Sequence, residues 1–220
     1  MKSKVLVLLA VLFSTQAFSQ STSADLALGF NGNNIVIAPG VVFQWSLLNE
    51  RIGIGTGLRM NYLNSSDVVF NNESYSDFSE LGAFATDKIS SFSSMSFNVP
   101  LHASVRFSEK FGLGFNIDVI GLTFGKGGDK TSYIVSTPDQ NELYTKVEPS
   151  TFNLLLGGAG DLGTLNSEFY LQYNISRIGI RAGYSIYFSE VKVENANLNV
   201  DKLRTTFGMG IIGARFRISG

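Results

Sequence analysis

Few residues in this chain could do chemistry, and most of those are arginines and carboxylates. Arg59, Arg106 and Arg181 oppose Asp118 and Glu168 in sign, and each sits where apolar residues occupy alternate positions. Charges taken out of water must be paired. Such a set can form an interior network of ion pairs and hydrogen bonds, or it can line a narrow path for ions or a small solute. His102-Ala103-Ser104 places an imidazole and a hydroxyl two residues apart. On a strand, that spacing puts both on one face. Nucleophilic catalysis needs a base beside the hydroxyl and a carboxylate to orient the base. The carboxylate nearby in sequence is Glu109, at a turn. An interior histidine hydrogen-bonded to its neighbours is the plainer reading. The stretch Gly121-Leu-Thr-Phe-Gly-Lys-Gly-Gly128 lacks the Gly-Lys-Ser/Thr ending of a phosphate-binding loop.

Composition narrows the options further. Only 16% of the 220 residues are charged, against about 25% in ordinary soluble domains. Seventeen basic and eighteen acidic residues leave a formal charge of −1, which excludes nucleic-acid binding through a basic surface. There is no cysteine, so a disulfide framework and cysteine–zinc or thiol chemistry are excluded. A single histidine excludes a multi-histidine metal site. No cofactor or metal is expected.

The N-terminus reads as a targeting segment. Lys2 and Lys4 precede the apolar run Val5–Phe13, and Ala17-Phe18-Ser19 supplies small residues before Gln20. That order is the order of a secretory signal peptide. The expected division is a signal peptide over 1–19 and one domain over 20–220. No later run approaches the ~20 apolar residues of a spanning helix.

The elements that must hold the charged residues are strands. Apolar residues recur with period two in eight segments. The first three run through Leu26–Phe30, Ile35–Leu47 and Ile52–Tyr62. The next two run through Met95–Phe107 and Phe111–Val119. The last three run through Phe169–Ile175, Ile178–Ile186 and Phe207–Ile218. In the last, the phase slips at Ile211-Ile212-Gly213, which predicts a bulge. Pro39 and Pro100 lie inside strands and predict a bulge or a strand end. The segment Thr151–Gly163 is expected to be a loop element; an extension of the sixth strand or a ten-strand barrel are the alternatives.

The two faces differ in kind. One is bulky and apolar and carries no charge. The other is rich in Gly, Ser and Asn and carries Asp25, Arg59, Arg106, Asp118, Arg181, Arg215 and Arg217. Small residues suit the crowded inside of a small barrel, and large apolar residues suit its outside. Such an outside needs lipid, and only a closed barrel satisfies every strand's backbone groups there. The connections agree. Those at 48–51, 108–110 and 176–177 are tight, whereas 63–94, 121–168 and 188–205 are long. Short turns on one side and long loops on the other mark an outer-membrane barrel with its turns in the periplasm. The expected fold is all-β: a transmembrane antiparallel up-and-down barrel of eight strands.

With its signal peptide, strand-and-loop rhythm and final strand Gly213-Ala-Arg-Phe216-Arg-Ile218, the chain resembles the small outer-membrane β-barrel family of Bacteroidota, the PorT-like group, over residues 24–218. The resemblance implies a bacterial outer-membrane location and recognition of the last strand by the barrel-assembly machinery. A structural, surface-interaction or envelope and secretion-accessory role without catalysis is expected, of which the resemblance implies the accessory one. The final strand departs from the usual signal by ending in Ser219-Gly220 and by carrying Ile211 where a polar residue is common. The His102-x-Ser104 spacing is similar to that of the outer-membrane lipid A deacylases and implies a lipid-modifying alternative. Expected partners are outer-membrane lipid and lipopolysaccharide, and an extracellular partner for the long loops, where Asp67, Glu73, Asp77, Glu80 and Asp87 gather. No nucleic acid is expected.

Overall fold

A computed structural model describes residues 19–48, 50–71, 85–126, 131–135, 144–157, 160–194 and 202–219. The expected signal peptide falls outside them, apart from Ser19.

Eleven strands follow one another: β1 (Ser19–Asn31), β2 (Asn34–Leu47), β3 (Ile52–Asn71), β4 (Ala85–Arg106), β5 (Phe111–Lys126), β6 (Thr131–Val135), β7 (Tyr144–Pro149), β8 (Phe152–Leu154), β9 (Thr164–Ile175), β10 (Ile178–Glu194) and β11 (Lys202–Ser219). Eight of them close the wall. β1 pairs with β2, β2 with β3, β3 with β4, β4 with β5, β5 with β9, β9 with β10, β10 with β11, and β11 returns to β1. All pairs are antiparallel, so every strand donates and accepts on both sides. This is the eight-stranded barrel that the alternation predicts.

The three short strands belong to the long-connection side. β6 and β7 form a hairpin inserted between β4 and β10. Beyond the tip of the short β1–β2 hairpin, β3 meets β11 directly at Asn71 and Arg204. The ring there passes through six strands instead of eight. β8 pairs with β5 above the end of β9, so Thr151–Gly163 patches the wall and adds no crossing strand. Much of the expected loop sequence is strand: β3 runs on to Asn71 and β4 starts at Ala85. Glu73, Asp77 and Glu80 lie outside the described residues.

The exterior is apolar. Leu58, Phe97, Leu101, Phe115, Phe169, Ile180 and Phe216 are each 40–64% exposed. On β4 this band runs from Met95 to Val105. Ten intervals of ~3.3 Å on a strand tilted by ~40° span about 25 Å, the height of a lipid-facing belt.

Two sequence expectations about parity are corrected. β11 alternates without a break from Leu203 to Arg215, and its pairing with β10 runs in one register. There is no bulge at 211–213. Met209 and Ile211 point inward, at 1% and 4% exposure, and Ile212 points to lipid. The phase slip arises because apolar residues occupy both faces here. Register shifts lie between Thr22 and Ser23, where β1 meets the end of β11, and, as the proline predicts, at Val99/Pro100, where Pro100 faces Asp118 and leaves Val119 as the extra residue of β5. Past it the parity of β5 flips, sending Ile120, Leu122 and Phe124 outward. Pro39 interrupts the β2–β3 ladder without shifting it.

Candidate functional site

The lumen is filled in two layers. The layer toward the long connections is mainly apolar: Leu63, Phe92, Tyr187, Leu203 and Met209 are buried against Ala27, Val36 and Ala38, and Ser94 and Ser189 are buried on the same strands. The layer toward the short turns is polar and holds most of the charged residues singled out above.

Six charges form one alternating chain, each from a different strand. Asp118 (β5) binds Arg59 (β3) at 2.5 Å, and Arg59 binds Glu168 (β9) at 3.0 Å. Glu168 lies 3.4 Å from Arg181 (β10), which binds Asp25 (β1) at 2.6 Å. Asp25 binds Arg215 (β11) at 3.2 Å. Three guanidiniums and three carboxylates cancel. All six are at most 8% exposed, so the pairing replaces the water they lose.

Amides complete the carboxylates' valences. Asn61 and Asn98 side chains and the Asn166 backbone N–H donate to Asp118 Oδ2 at 3.1, 2.7 and 3.1 Å. Asn116 donates to Glu168 at 2.8 Å. Asn153, the middle residue of β8, donates to Asn98 at 2.7 Å and accepts from Thr123 and from the Thr164 N–H. The patch over the wall therefore also closes the network from above.

Glycines make the chain of charges fit. Arg181 reaches Asp25 across Gly213, where a Cβ would sit 2.7 Å from Arg181 Nε. Tyr170 lies over Gly114, where a Cβ would meet its ring at 2.3 Å. That ring stacks under Arg181 at 4.9 Å and its hydroxyl accepts from Arg215 at 3.3 Å.

Of the residues expected inside, Arg59, Asp118, Glu168 and Arg181 are brought together. His102 is buried beside them with Nδ1 against Asn116 Oδ1. Among the described residues no hydrogen bond joins His102 to Ser104. Arg106 lies apart from the chain, because its strand position is at the turn-side rim; it pairs with Glu50 at 3.1 Å, both partners partly exposed. Asp25 and Arg215 were legible as inward charges but not as members of one cluster. Only the β1–β11 pairing sets them opposite each other. Among the described residues, no group of three or more histidines and carboxylates could hold a metal ion.

Below the charge chain the lumen opens toward the turns as a vestibule of about 70 Å³, with Ser104, Gln172, Arg215 and Arg217 in its lining.

Closure, apolar belt and turn pattern make this a barrel of the outer-membrane kind. No family model matches the chain, and no curated protein is significantly similar to it. Among solved structures, it is similar to the outer membrane protein Ail of Yersinia pestis in a phospholipid nanodisc, with a TM-score of 0.40 and 12% identity over 91% of this chain and 100% of that one. Neisserial surface protein A gives a TM-score of 0.36 and 13% identity over 90% and 96%. A major outer membrane protein from Thermus thermophilus gives 0.34 and 9% identity over 91% and 100%.

Proposed function

We propose that the chain is an integral outer-membrane protein of the PorT-like kind with a non-catalytic role, either as a surface-interaction barrel or as an accessory to envelope processes and secretion. The last strand hands it to the barrel-assembly machinery, the belt contacts outer-membrane lipid and lipopolysaccharide, and the strand extensions β3, β4, β10 and β11 carry an extracellular contact surface. The observation that supports this reading over the channel is the filled lumen. A neutralised charge chain and a cluster of apolar side chains lie one above the other, and among the described residues every member of either is at most 8% exposed. For the lipid A-modifying alternative, His102 would need lipid at its ring, yet its side chain is directed into the lumen.

Planar-bilayer recording tests the reading. The reconstituted full chain gives no stepwise current, and Asp118→Asn gives none either, because the apolar layer remains. Reproducible unitary steps from the wild type that change with Asp118→Asn would overturn it in favour of the channel.

A further inference from the structure

The vestibule has an excess of positive charge that the rest of the molecule does not explain. Four arginines, Arg106, Arg177, Arg215 and Arg217, are among its lining residues, against one acidic residue, Glu50. Glu50 is taken by Arg106, and Arg215 is taken by Asp25. Arg177 and Arg217 have no ion-pair partner among the described residues. They are nevertheless held together, since the backbone N–H of Arg217 donates to the Arg177 carbonyl at 2.8 Å. Two unpaired like charges at one cavity mouth repel each other and raise the local potential for anions. Around them stand neutral donors, among them the hydroxyls of Ser46 and Ser104 and the amide of Gln172. About 70 Å³ holds several waters, or one tetrahedral oxyanion.

We propose that the turn-side vestibule is a binding site for a phosphate-type oxyanion, gripped by Arg177 and Arg217 at the mouth and by hydroxyl and amide donors within. Guanidinium forks match the geometry of such an anion and bind it by charge-assisted hydrogen bonds. Several donors on separate strands favour a ligand with acceptors on all sides over a single planar carboxylate. The anion is either free in the periplasm or the headgroup phosphate of an inner-leaflet lipid, which the mouth can reach at the membrane boundary. The site is independent of the role proposed above, since it lies at the opposite end of the barrel from the extracellular surface.

Equilibrium dialysis of inorganic phosphate against the folded full chain in a non-ionic, phosphate-free detergent tests the site. Heat-modifiable gel migration verifies that each variant is folded. The wild type binds phosphate saturably, and R177Q/R217Q binds at least tenfold more weakly. The control R51Q/K110Q removes two charges from the same rim outside the cavity and leaves binding unchanged. In phosphatidylglycerol nanodiscs, loss of phosphate binding that returns in nanodiscs of a phosphate-free galactolipid identifies the lipid headgroup as the occupant, and equal binding in both identifies the free anion. Non-saturable uptake by the wild type overturns the proposal, as does equal weakening by the two double variants.

Discussion

Arg181 lies across the ring of Tyr170, its guanidinium carbon 4.9 Å from the ring centroid. The hydroxyl of the same ring accepts from Arg215 and donates to Asn116 at 3.2 Å. One tyrosine thus orders two guanidiniums of the charge chain and ties them to the amide that holds Glu168. Tyr170→Phe keeps the ring and the stacking but removes a hydrogen bond to a charged group. The expected loss is roughly 1.5–3 kcal/mol, read as a lower urea midpoint for unfolding from lipid vesicles. Tyr170→Leu, which also removes the cation–π contact, loses more.

Arginines at the two depths behave differently. Arg59→Gln leaves Asp118 without its cation in a site sealed from water, and breaking one side of a buried pair costs about 3–5 kcal/mol. Arg106→Gln breaks a pair whose side chains are 31% and 47% exposed, and such pairs contribute up to ~1 kcal/mol. Unfolding midpoints of the two variants separate accordingly. Equal shifts would show that the chain of six charges does not act as a buried unit.

Gly114→Ala and Gly213→Ala test the fit of large polar side chains over glycine. The added methyl would meet the Tyr170 ring in one and Arg181 Nε and the Leu26 carbonyl in the other. Overpacking of this kind costs roughly 1–3 kcal/mol. Gly213→Ala is the more severe, because backbone cannot swing aside. The folded fraction after refolding, read from heat-modifiable migration, falls for Gly213→Ala before it falls for Gly114→Ala.

The lipid face predicts a depth profile. Leu101 lies near the middle of the β4 belt and Val105 near its turn-side edge, both about half exposed. Leu101→Arg loses ~2–4 kcal/mol of stability in the bilayer, and Val105→Arg loses ~0–1. In detergent, where the belt can adapt, the difference shrinks. A profile that is flat in vesicles would remove the hydrocarbon from this surface.

The eight crossings were legible because one face alternates without charge for long stretches, as at Phe97-x-Val99-x-Leu101-x-Ala103-x-Val105. The turn lengths gave the sidedness. Four things were not legible. Apolar character cannot distinguish lipid from a filled lumen, so Met209 and Ile211 look like lipid-facing residues until the closed barrel buries both, Met209 in one cluster with Leu63 and Ala27. The strand extensions past Tyr62 and Ile186 are polar enough to look like loops, and their pairing is set by partners far along the chain. The membership of Asp25 and Arg215 depends on which residues of the first and last strands pair, and no local pattern carries that register. Arg106 was grouped with the buried arginines on parity alone, since parity gives the face but not the depth.

Asp25 carries a consequence for how the cylinder shuts. It sits on the first strand and grips arginines on the last two, 156 and 190 residues away. These contacts straddle the seam where the two chain ends meet. A slip of two residues would keep every side chain on its proper face, so greasiness alone gives no protection against it. Sliding one way would push Arg215 up opposite Ala27, into the oily upper plug. Sliding the other way would set Gly213 opposite Asp25 and strand Arg215 beside Ser23. The latch thus acts as a proofreading mark, rejecting closures that hydrophobic patterning would accept.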